Sequence, residues 1–296
     1  MNKKKILKKI KYALRFLPDS IYIQIYYFAH YKRFCNLKEP RTFNEKLNWL
    51  KLHDRNPDYI KMVDKYEVKK YVADIIGEEY IVPTLGVWDN FDDIDFNSLP
   101  EQFVLKCTHD SEGLVIVKDK SKLDINLAKK KLNDALKCNF YYIGREWPYK
   151  NIKPRIIAEQ FLEDSITGEL RDYKFLCFGG EPKLMFVVTG RSSGNTKFDF
   201  FDMDFNHQNI IQHYPNSDVT ITKPSNFDKM KELARVLSKN IPHVRVDFYE
   251  VDGKVYFGEL TFYHFSGFMP FQPAKWDEIL GEWLQLPTLH PKEVKK

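Results

Sequence analysis

Cysteine is scarce in this chain of 296 residues, which has only Cys35, Cys107, Cys138 and Cys177. No two of them are separated by a short metal-binding spacing, so the sequence predicts neither a zinc site nor a disulfide framework. A reducing compartment is the default for such a chain. The sequence also predicts no signal peptide, because lysines interrupt the first apolar positions and no cleavage site follows. We therefore expect a cytoplasmic protein.

Long apolar runs and a spread of positive charge are absent as well. The longest apolar run, Ile21 to Ala29, is interrupted by Gln24 and is too short to span a bilayer. Residues 1–17 hold seven basic residues and no acid, and the rest of the chain holds 39 basic and 41 acidic residues, a balance of −2. Because a nucleic-acid-binding domain usually spreads a basic face over its fold, we expect no nucleic-acid partner.

The first 37 residues form a predicted basic helical segment. Apolar residues recur at helical spacing through residues 3–17, and lysines fill the other face. Such a helix suits an anionic membrane surface, which would place the protein peripherally on the inner membrane face. It is equally typical of a terminal helix that docks on its own domain with its lysines solvated. The sequence leaves both interpretations open.

Residues 38–100 read as a region of helices with one short strand. Thr42 and Glu45 have the spacing of a capping box at a helix start. A further helix is predicted from Tyr59 through Ala73, and Tyr80–Pro83 reads as an edge strand. From residue 100 onward, strands and helices alternate, which predicts an α+β fold.

The richest stretch is a predicted hairpin in which Arg245, Asp247 and Glu259 lie among apolar residues. A two-residue turn at Asp252-Gly253 would leave Asp247 and Glu259 on opposite faces. A three-residue loop that adds Val251 would place Arg245 opposite Glu259, with Asp247 on the diagonal. The hypothesis of a metal site takes the three-residue loop, since a metal ion can then bridge the two carboxylates.

The alternative for this hairpin is a surface ribbon with solvated charges. Its flanking residues are mainly Val, Phe, Leu and Tyr, which favours a polar face that lines a cleft. Two carboxylates and an arginine there suit a magnesium-bound phosphate.

Two further strands carry charged residues. Lys106 ends the strand from Phe103 and precedes a polar loop, so it offers a fixed positive charge to a phosphate, while the spacing of a Walker loop is absent. Glu159 lies in an apolar strand and needs a partner, either the amino and hydroxyl groups of a nucleoside or a nearby lysine or arginine. Asp172 and Lys174 begin the next strand.

Two other carboxylates have a metal-binding spacing. Asp202 and Asp204 resemble the aspartate pair with which many glycosyltransferases hold a nucleotide-sugar metal, although a plain turn between strands fits this stretch better. Arg191 lies on a loop from which it can reach an anionic substrate. No convincing Ser/His/Asp or Cys/His set is present, which fits a reaction that requires no covalent nucleophile.

Seven separated segments carry a resemblance to a known family. They are residues 42–47 (TFNEKL), 64–66 (DKY), 76–80 (IGEEY), 103–109 (FVLKCTH), 159–162 (EQFL), 172–175 (DYKF) and 258–262 (GELTF). In this order the chain resembles the ATP-grasp superfamily, most closely its TupA-like branch, which is associated with bacterial surface polysaccharides and teichuronopeptides. The resemblance covers roughly residues 38–285.

The resemblance implies an ATP-grasp fold, in which two α+β subdomains close around a nucleotide. Residues 101–160 would form the first subdomain and residues 161–290 the second. The family's cofactors are ATP and Mg²⁺. Two positions depart from the common pattern, since Thr261 stands where many relatives have asparagine and Glu112 stands where glycine is common.

The same resemblance assigns roles to individual residues. Lys106 would hold the phosphates, the loop 108–113 would cover them, and residues 159–162 would contact adenine. The expected nucleotide-binding residues are Lys65, Lys106, Thr108, His109, Ser111, Gly113, Glu159, Gln160, Phe161, Leu162, Asp172 and Lys174. The expected metal ligands are Asp247, Glu259 and Thr261, and the expected catalytic residues are Lys106, Arg191 and Arg245.

The activity implied is that of an ATP-dependent carboxylate–amine ligase, which forms an amide through an acylphosphate. Its expected substrates are a uronic acid of a surface glycan or glycolipid and an amino acid or amine. One alternative is a glycosyltransferase of the same polymers that uses Asp202 and Asp204. Another is a nucleotide-binding scaffold without catalytic activity.

Overall fold

Two antiparallel sheets, each with its own helices, organise the chain. The structure is a computed structural model that describes residues 10–191 and 193–288. The predicted α+β class is confirmed. Residues 3–9 of the predicted basic helix lie outside the described residues, and residues 10–13 are helical. None of the described helices is long and apolar enough to cross a bilayer.

The helices have the following bounds. They are α1 (Asp19–Tyr31), α2 (Phe43–His53), α3 (Asp58–Val63), α4 (Glu67–Ile76), α5 (Ile125–Leu136), α6 (Tyr141–Gly144), α7 (Phe227–Leu237) and α8 (Lys275–Trp283). Short 3₁₀ helices occur at Leu14–Phe16, Glu78–Tyr80, Phe91–Asp93, Lys120–Lys122, Trp147–Asn151 and His264–Gly267.

The smaller sheet has the strand order β1-β4-β2-β3. Its strands are β1 (Thr84–Trp88), β2 (Phe103–Cys107), β3 (Leu114–Val117) and β4 (Ile156–Gln160). Helix α5 covers one face, where Ala128, Leu132 and Ala135 pack in one core with Phe103 and Leu105. The predicted boundary between residues 100 and 101 falls inside this unit, because β1 pairs with β4.

The larger sheet has the strand order β10-β9-β5-β6-β7-β8. Its strands are β5 (Asp172–Phe178), β6 (Glu181–Thr189), β7 (Lys197–Phe201), β8 (His207–Gln208), β9 (His243–Val251) and β10 (Lys254–Thr261). The apolar stripe of α7 is buried in the core of this sheet, and so are Phe43 and Leu47 of α2. Helix α2 therefore shares a core with the larger sheet, whereas Ile23 and Tyr27 of α1 belong to a separate small cluster with Cys35 and Phe268.

Helix α2 begins as its sequence predicts. The Thr42 side chain accepts a hydrogen bond from the Glu45 backbone N–H, and the Glu45 carboxylate accepts one from the Thr42 backbone N–H. This reciprocal pair is the predicted capping box, and it satisfies two donors that a helix start otherwise leaves unpaired.

The predicted helix from Tyr59 through Ala73 is wrong, because the chain forms α3 and α4 with a break between them. Asp64 causes the break. Its backbone is extended (φ −75°, ψ 118°), and its Oδ1 accepts hydrogen bonds from the backbone N–H groups of Tyr66 at 2.8 Å and Glu67 at 3.3 Å. An aspartate in this position starts a new helix instead of continuing the old one.

The predicted strand Tyr80–Pro83 is also wrong. Glu78–Tyr80 is a 3₁₀ helix, and the strand β1 begins at Thr84, one residue after Pro83. Because proline donates no backbone hydrogen bond, the ladder starts beyond it.

Candidate active site

A cavity of about 610 Å³ lies between the two sheets. Strands β2 and β4 and the loop before β3 line it on one side, and strands β5, β6, β9 and β10 line it on the other. Helix α4 adds Lys69, and the turn before it adds Lys65. Of the predicted site residues, the lining includes Lys65, Lys106, Ser111, Gly113, Glu159, Asp172, Lys174, Arg191, Arg245 and Glu259.

The hairpin β9–β10 brings its two carboxylates together by a route other than the predicted one. The turn has two residues, Asp252 (φ 49°) and Gly253 (φ 76°), so Val251 pairs with Lys254. A bulge at Gly258 then shifts the register by one residue and places Asp247 directly opposite Glu259. The predicted three-residue loop is wrong, and so is the pairing of Arg245 with Glu259.

Glycine at the bulge is explained by close packing. A Cβ atom at position 258 would lie 3.1 Å from the backbone oxygen of Asp247 and 3.3 Å from the Tyr249 ring. Bulges commonly re-aim side chains beside functional sites. Here the bulge restores the predicted outcome, with Asp247 and Glu259 on one face of the sheet.

Arg245 connects the two carboxylates. Its Nε and Nη2 donate to the two oxygens of Asp247 at 2.7 Å each, and Nη2 also donates to Glu259 Oε1 at 2.8 Å. Its Nη1 donates to Nδ1 of His264 at 3.2 Å, and His264 Nε2 lies 2.7 Å from Gln212 Oε1. Burial lowers the pKa of His264 well below its usual value, so the ring is neutral and its Nε2–H donates to Gln212.

Strand β5 adds a second set of charges beside the hairpin. Lys174 donates to Oδ2 of Asp247 and lies 3.1 Å from Oδ2 of Asp172. Arg191 Nη1 lies 2.8 Å from the same Asp172 oxygen. The other oxygen of Asp172, Oδ1, is buried and has no hydrogen-bond partner among the described residues. A buried carboxylate oxygen without a partner is costly unless a ligand or ion completes it.

Burial and the neighbouring cations together set the pKa values of the two hairpin carboxylates. Burial alone would raise the pKa of Glu259, but Lys174, Arg245 and Lys65 outweigh burial and hold it well below its usual value. Burial raises the pKa of Asp247, and the contacts with Arg245 and Lys174 oppose that rise. Glu259 is therefore an anion at neutral pH.

The opposite wall presents lysines around Glu159. Lys69 Nζ lies 2.7 Å from Glu159 Oε1, and Lys106 Nζ donates to Oε2. Of the two partners that the sequence left open for Glu159, the structure contains the ion pair. Burial would raise the pKa of Glu159, but Lys106 and Lys69 outweigh it and lower the pKa to about 2.

Acid should remove the stabilisation that Glu159 provides. Its pKa falls from 4.5 when unperturbed to about 2 in the fold, so this stabilisation is complete above about pH 4.5 and is lost as the pH falls toward 2. About 3 kcal/mol of the free energy of unfolding is at stake, since one pKa unit corresponds to about 1.4 kcal/mol. Urea denaturation of the wild type and Glu159→Gln at several pH values checks this. The difference in the free energy of unfolding between the two proteins should become smaller in acid. A difference that does not change with pH would contradict the contacts of Glu159 with the lysines.

The loop 108–113 lies only partly in the cavity. Thr108 and His109 are buried, and His109 Nε2 faces the backbone oxygens of Ala135 at 3.2 Å and Cys138 at 3.1 Å, behind the sheet. Lys65 Nζ donates to the backbone oxygen of Asp110 at 2.6 Å. Thus Ser111 and Gly113 line the cavity, while Thr108 and His109 do not.

Residues 160–162 lie outside the lining of the cavity. The Gln160 backbone N–H donates to the Pro83 backbone oxygen at 3.0 Å, and the Lys118 ammonium lies 5.3 Å from the centre of the Phe161 ring. Gln160 and Phe161 line a separate surface groove instead. The structure therefore does not bring Gln160, Phe161 and Leu162 to the charged residues.

Thr261 and Asp247 are not part of the cavity surface. Thr261 Oγ1 donates to Glu259 Oε1 at 3.2 Å, and the Asp247 side chain is fully buried beneath Arg245 and Lys174. Within residues 10–191 and 193–288, no group of three or more His, Cys, Asp or Glu side chains is arranged to hold a metal ion. The hairpin thus offers two carboxylates side by side.

Asp202 and Asp204 lie away from the cavity, in the turn between β7 and β8. Asp202 Oδ1 accepts hydrogen bonds from the backbone N–H groups of Asp204 at 3.0 Å and Asn206 at 2.8 Å. The carboxylate is occupied by its own turn, as the turn interpretation of this stretch predicts.

Sequence patterns do not predict several of the residues that line the cavity. Lys69 belongs to an ordinary amphipathic helix, and its contact with Glu159 spans 90 positions. His213 (φ 64°) and Phe265 (φ 46°) have left-handed backbones, which are uncommon for residues other than glycine and often occur at functional sites. With Phe186, Phe198 and Tyr214 they form an aromatic end of the cavity.

A cavity between two α+β units, with lysines on one wall and paired carboxylates on the other, is the arrangement expected of an ATP-grasp enzyme. The TupA-like ATPgrasp family model matches residues 45–285. The chain therefore belongs to the TupA-like ATP-grasp family, which confirms the predicted family and the predicted fold.

Similar solved structures include ATP-grasp ligases. D-alanine–D-alanine ligase from Bacillus anthracis, complexed with ATP, has a TM-score of 0.40 and 15% identity, with 68% of this chain and 53% of that chain covered. The corresponding ligase from Helicobacter pylori has a TM-score of 0.44 and 14% identity, with 82% and 69% covered.

The L-amino acid ligase from Bacillus licheniformis has a TM-score of 0.43 and 12% identity, with 80% of this chain and 53% of that chain covered. The chain thus spans about half the length of the Bacillus ligases that it matches. These scores are too low to carry an argument, and the family assignment rests on the family model. No curated protein matches the chain at a significant level.

Proposed function

We propose that the protein is an ATP-dependent carboxylate–amine ligase that acts on a carboxylate of a surface glycan. The observation that carries this proposal is the charge distribution of the cavity between the sheets. Lys106 of the smaller sheet, together with Lys69 of α4 and Lys65 before it, faces the Arg245, Lys174 and Glu259 side chains of the larger sheet across it. Such a distribution of charge suits a triphosphate whose terminal phosphate is transferred.

ATP would lie with its phosphates between the two walls. Lys106, Lys69 and Lys65 supply positive charge on one side, and Lys174 and Arg245 supply it on the other. Glu159 keeps Lys69 and Lys106 in place before nucleotide binds, because it contacts both. An ordered pair of ammonium groups lowers the entropy cost of gripping the phosphates.

Mg²⁺ would bind beside Glu259, the hairpin carboxylate that lines the cavity, with phosphate oxygens completing its ligands. Asp247 lies directly opposite Glu259, but its oxygens accept from Arg245 and Lys174, so it would become a ligand only after those contacts open. The unpartnered Oδ1 of Asp172 lies on the neighbouring strand, and Thr261 offers a hydroxyl group beside Glu259. When bound, the metal ion offsets charge on the transferring phosphoryl group.

The reaction needs no covalent nucleophile on the protein. A substrate carboxylate oxygen attacks the γ-phosphorus, the bond to the β-phosphate oxygen breaks, and ADP leaves. The amine nitrogen then attacks the acyl carbon, phosphate leaves, and the nitrogen loses a proton to give the amide. Arg245 and Lys174 stabilise the charge on the phosphoryl group, since both reach the carboxylates beside it.

The aromatic end of the cavity is where the organic acid would bind. Across the sheet, Glu259 neighbours Asp247, Asp247 neighbours Lys174, and Lys174 neighbours Phe186, so charged residues give way directly to aromatic ones. Aromatic faces pack against the apolar face of a sugar ring. Arg191, half-exposed beside Asp172, would bind the carboxylate of a uronic acid.

The proposal predicts ADP release that depends on both substrates. Purified protein is incubated with ATP, Mg²⁺, uronic acids and amino acids, and ADP and amide are measured. Hydroxylamine in place of the amine should trap the activated acid as a hydroxamate. Sugar transfer from a nucleotide sugar without ATP would overturn the proposal, and so would ATP binding without turnover across acids and amines, which would indicate a scaffold.

A further inference from the structure

Helix α1 has two apolar faces, and only one of them is covered. Tyr22, Ile23 and Tyr27 are completely buried against the protein. On the other side, Ile21, Ile25 and Phe28 follow one another at positions i, i+4 and i+7 and are 47%, 47% and 45% exposed. This spacing places the three side chains in one stripe along the helix.

The stripe continues beyond the helix. The Phe34 ring lies 5.2 Å from the Phe28 ring and is itself exposed. Phe16, in the 3₁₀ helix before α1, is 80% exposed. We call Phe16, Ile21, Ile25, Phe28 and Phe34 the outer face of α1. A cluster of exposed apolar side chains of this kind usually marks an interaction site.

The charge around the outer face is positive. Among residues 10–38, which the structure describes, five residues are basic and a single one, Asp19, is acidic. Asp19 is neutralised locally, because its Oδ1 accepts from Tyr141 and lies 3.2 Å from Arg145 Nη1. Arg15 and Lys32, at the two ends of the region, are exposed, and the Arg15 guanidinium lies 4.6 Å from the centre of the Phe16 ring.

We propose that the outer face of α1 docks on an anionic lipid bilayer. An apolar stripe flanked by cations is the chemistry of a helix that lies in the membrane interface. The buried face keeps α1 attached to the protein, so the helix meets the bilayer as part of the folded domain. The excess of five basic residues over one acid within residues 10–38 favours an anionic surface over an apolar protein partner.

The position of α1 relates this surface to the cavity. Tyr26 packs on Phe268 with a centroid distance of 4.7 Å, and the 3₁₀ helix His264–Gly267 precedes Phe268. Phe265 in that 3₁₀ helix lines the aromatic end of the cavity. Docking through α1 would therefore hold this end of the cavity near the bilayer, where an acceptor attached to lipid is found. The docking itself does not depend on the ligase reaction.

Vesicle co-sedimentation of the full chain tests the proposal. The wild type should sediment with phosphatidylglycerol/phosphatidylcholine vesicles and much less with phosphatidylcholine alone, and salt should weaken the binding. The triple variant Ile21→Gln/Ile25→Gln/Phe28→Gln should bind at least about tenfold more weakly, because it removes the apolar stripe. Arg15→Gln/Lys32→Gln should weaken binding to the anionic vesicles, by about fivefold for each charge that meets the surface.

A matched control removes three exposed apolar side chains elsewhere. The exposed fractions of Leu127, Ile166 and Val236 are similar to or larger than those of the stripe residues, and the three lie in other parts of the surface. Their triple change to glutamine should therefore leave vesicle binding unchanged. Circular dichroism confirms that each variant is folded. Equal sedimentation of the wild type and the α1 variant would overturn the proposal. The proposal would also be overturned if the wild type did not bind vesicles but formed a dimer that the α1 variant abolishes. A second copy of the chain would then cover the stripe.

Discussion

Replacing Glu259 by glutamine should lower the rate of ATP turnover by about 100- to 1000-fold, the range seen when one preorganised electrostatic contact is lost. Glutamine keeps the shape of the side chain and removes its charge, so it weakens both the metal site and the balance of charge around Arg245. The fold should survive, because Arg245 still makes two hydrogen bonds to Asp247. Steady-state ADP release and thermal unfolding measure the two effects separately.

The matched control for Glu259→Gln is Asp204→Asn. Asp204 is a carboxylate in the turn between β7 and β8, away from the cavity, and its loss should leave ADP release unchanged. The reverse pattern, in which Asp204→Asn is inactive and Glu259→Gln is active, would favour the glycosyltransferase alternative.

The faces of the hairpin follow from the sequence, but its register does not. Alternation of apolar and charged residues identifies which side chains share a face of a strand. Register depends on the turn and on any bulge, and a bulge at a single glycine leaves no periodic signal. Here the two-residue turn alone would separate Asp247 from Glu259, and the bulge at Gly258 reunites them. The sequence therefore correctly predicts that Asp247 and Glu259 share a face of the sheet, but through a three-residue loop that the structure does not contain.

Long-range contacts are the other feature that local patterns miss. Strand β1 pairs with β4 about 70 positions later, so the smaller unit begins before the predicted boundary at residue 101. Lys69 reaches Glu159 from a helix whose pattern is that of any amphipathic helix. By contrast, the capping box at Thr42 and Glu45 is a local interaction, and the sequence predicts it correctly.

The predicted nucleotide-binding residues also divide into those that a local pattern identifies and those whose position depends on packing. Strand alternation and the resemblance together identify Lys106, Glu159, Asp172 and Lys174, all of which line the cavity. His109 follows Lys106 closely in sequence, yet its ring turns behind the sheet toward α5, because packing decides the direction of a loop side chain. Proximity in sequence to a site residue is thus a poor guide within loops.

Lys106→Met should weaken ATP binding by about 10- to 100-fold, since a hydrogen bond to a charged group contributes about 1.5–3 kcal/mol. Methionine preserves the apolar stem of the lysine and removes the ammonium group that faces the phosphates. Glu159 keeps its contact with Lys69 at 2.7 Å, so its charge is not left buried without a partner and the fold should persist. Calorimetric titration with ATP measures the affinity directly.

Lys118→Met provides the control for this effect. Lys118 follows the neighbouring strand β3, is largely exposed, and pairs with Glu163 outside the cavity, so its replacement should leave the affinity for ATP unchanged. If Lys106→Met bound ATP as tightly as the wild type, Lys106 would serve only to neutralise Glu159. The phosphates would then be bound by Lys65, Lys69 and the larger sheet. Most of the binding would come from the wall of the cavity that β5 and β9 form.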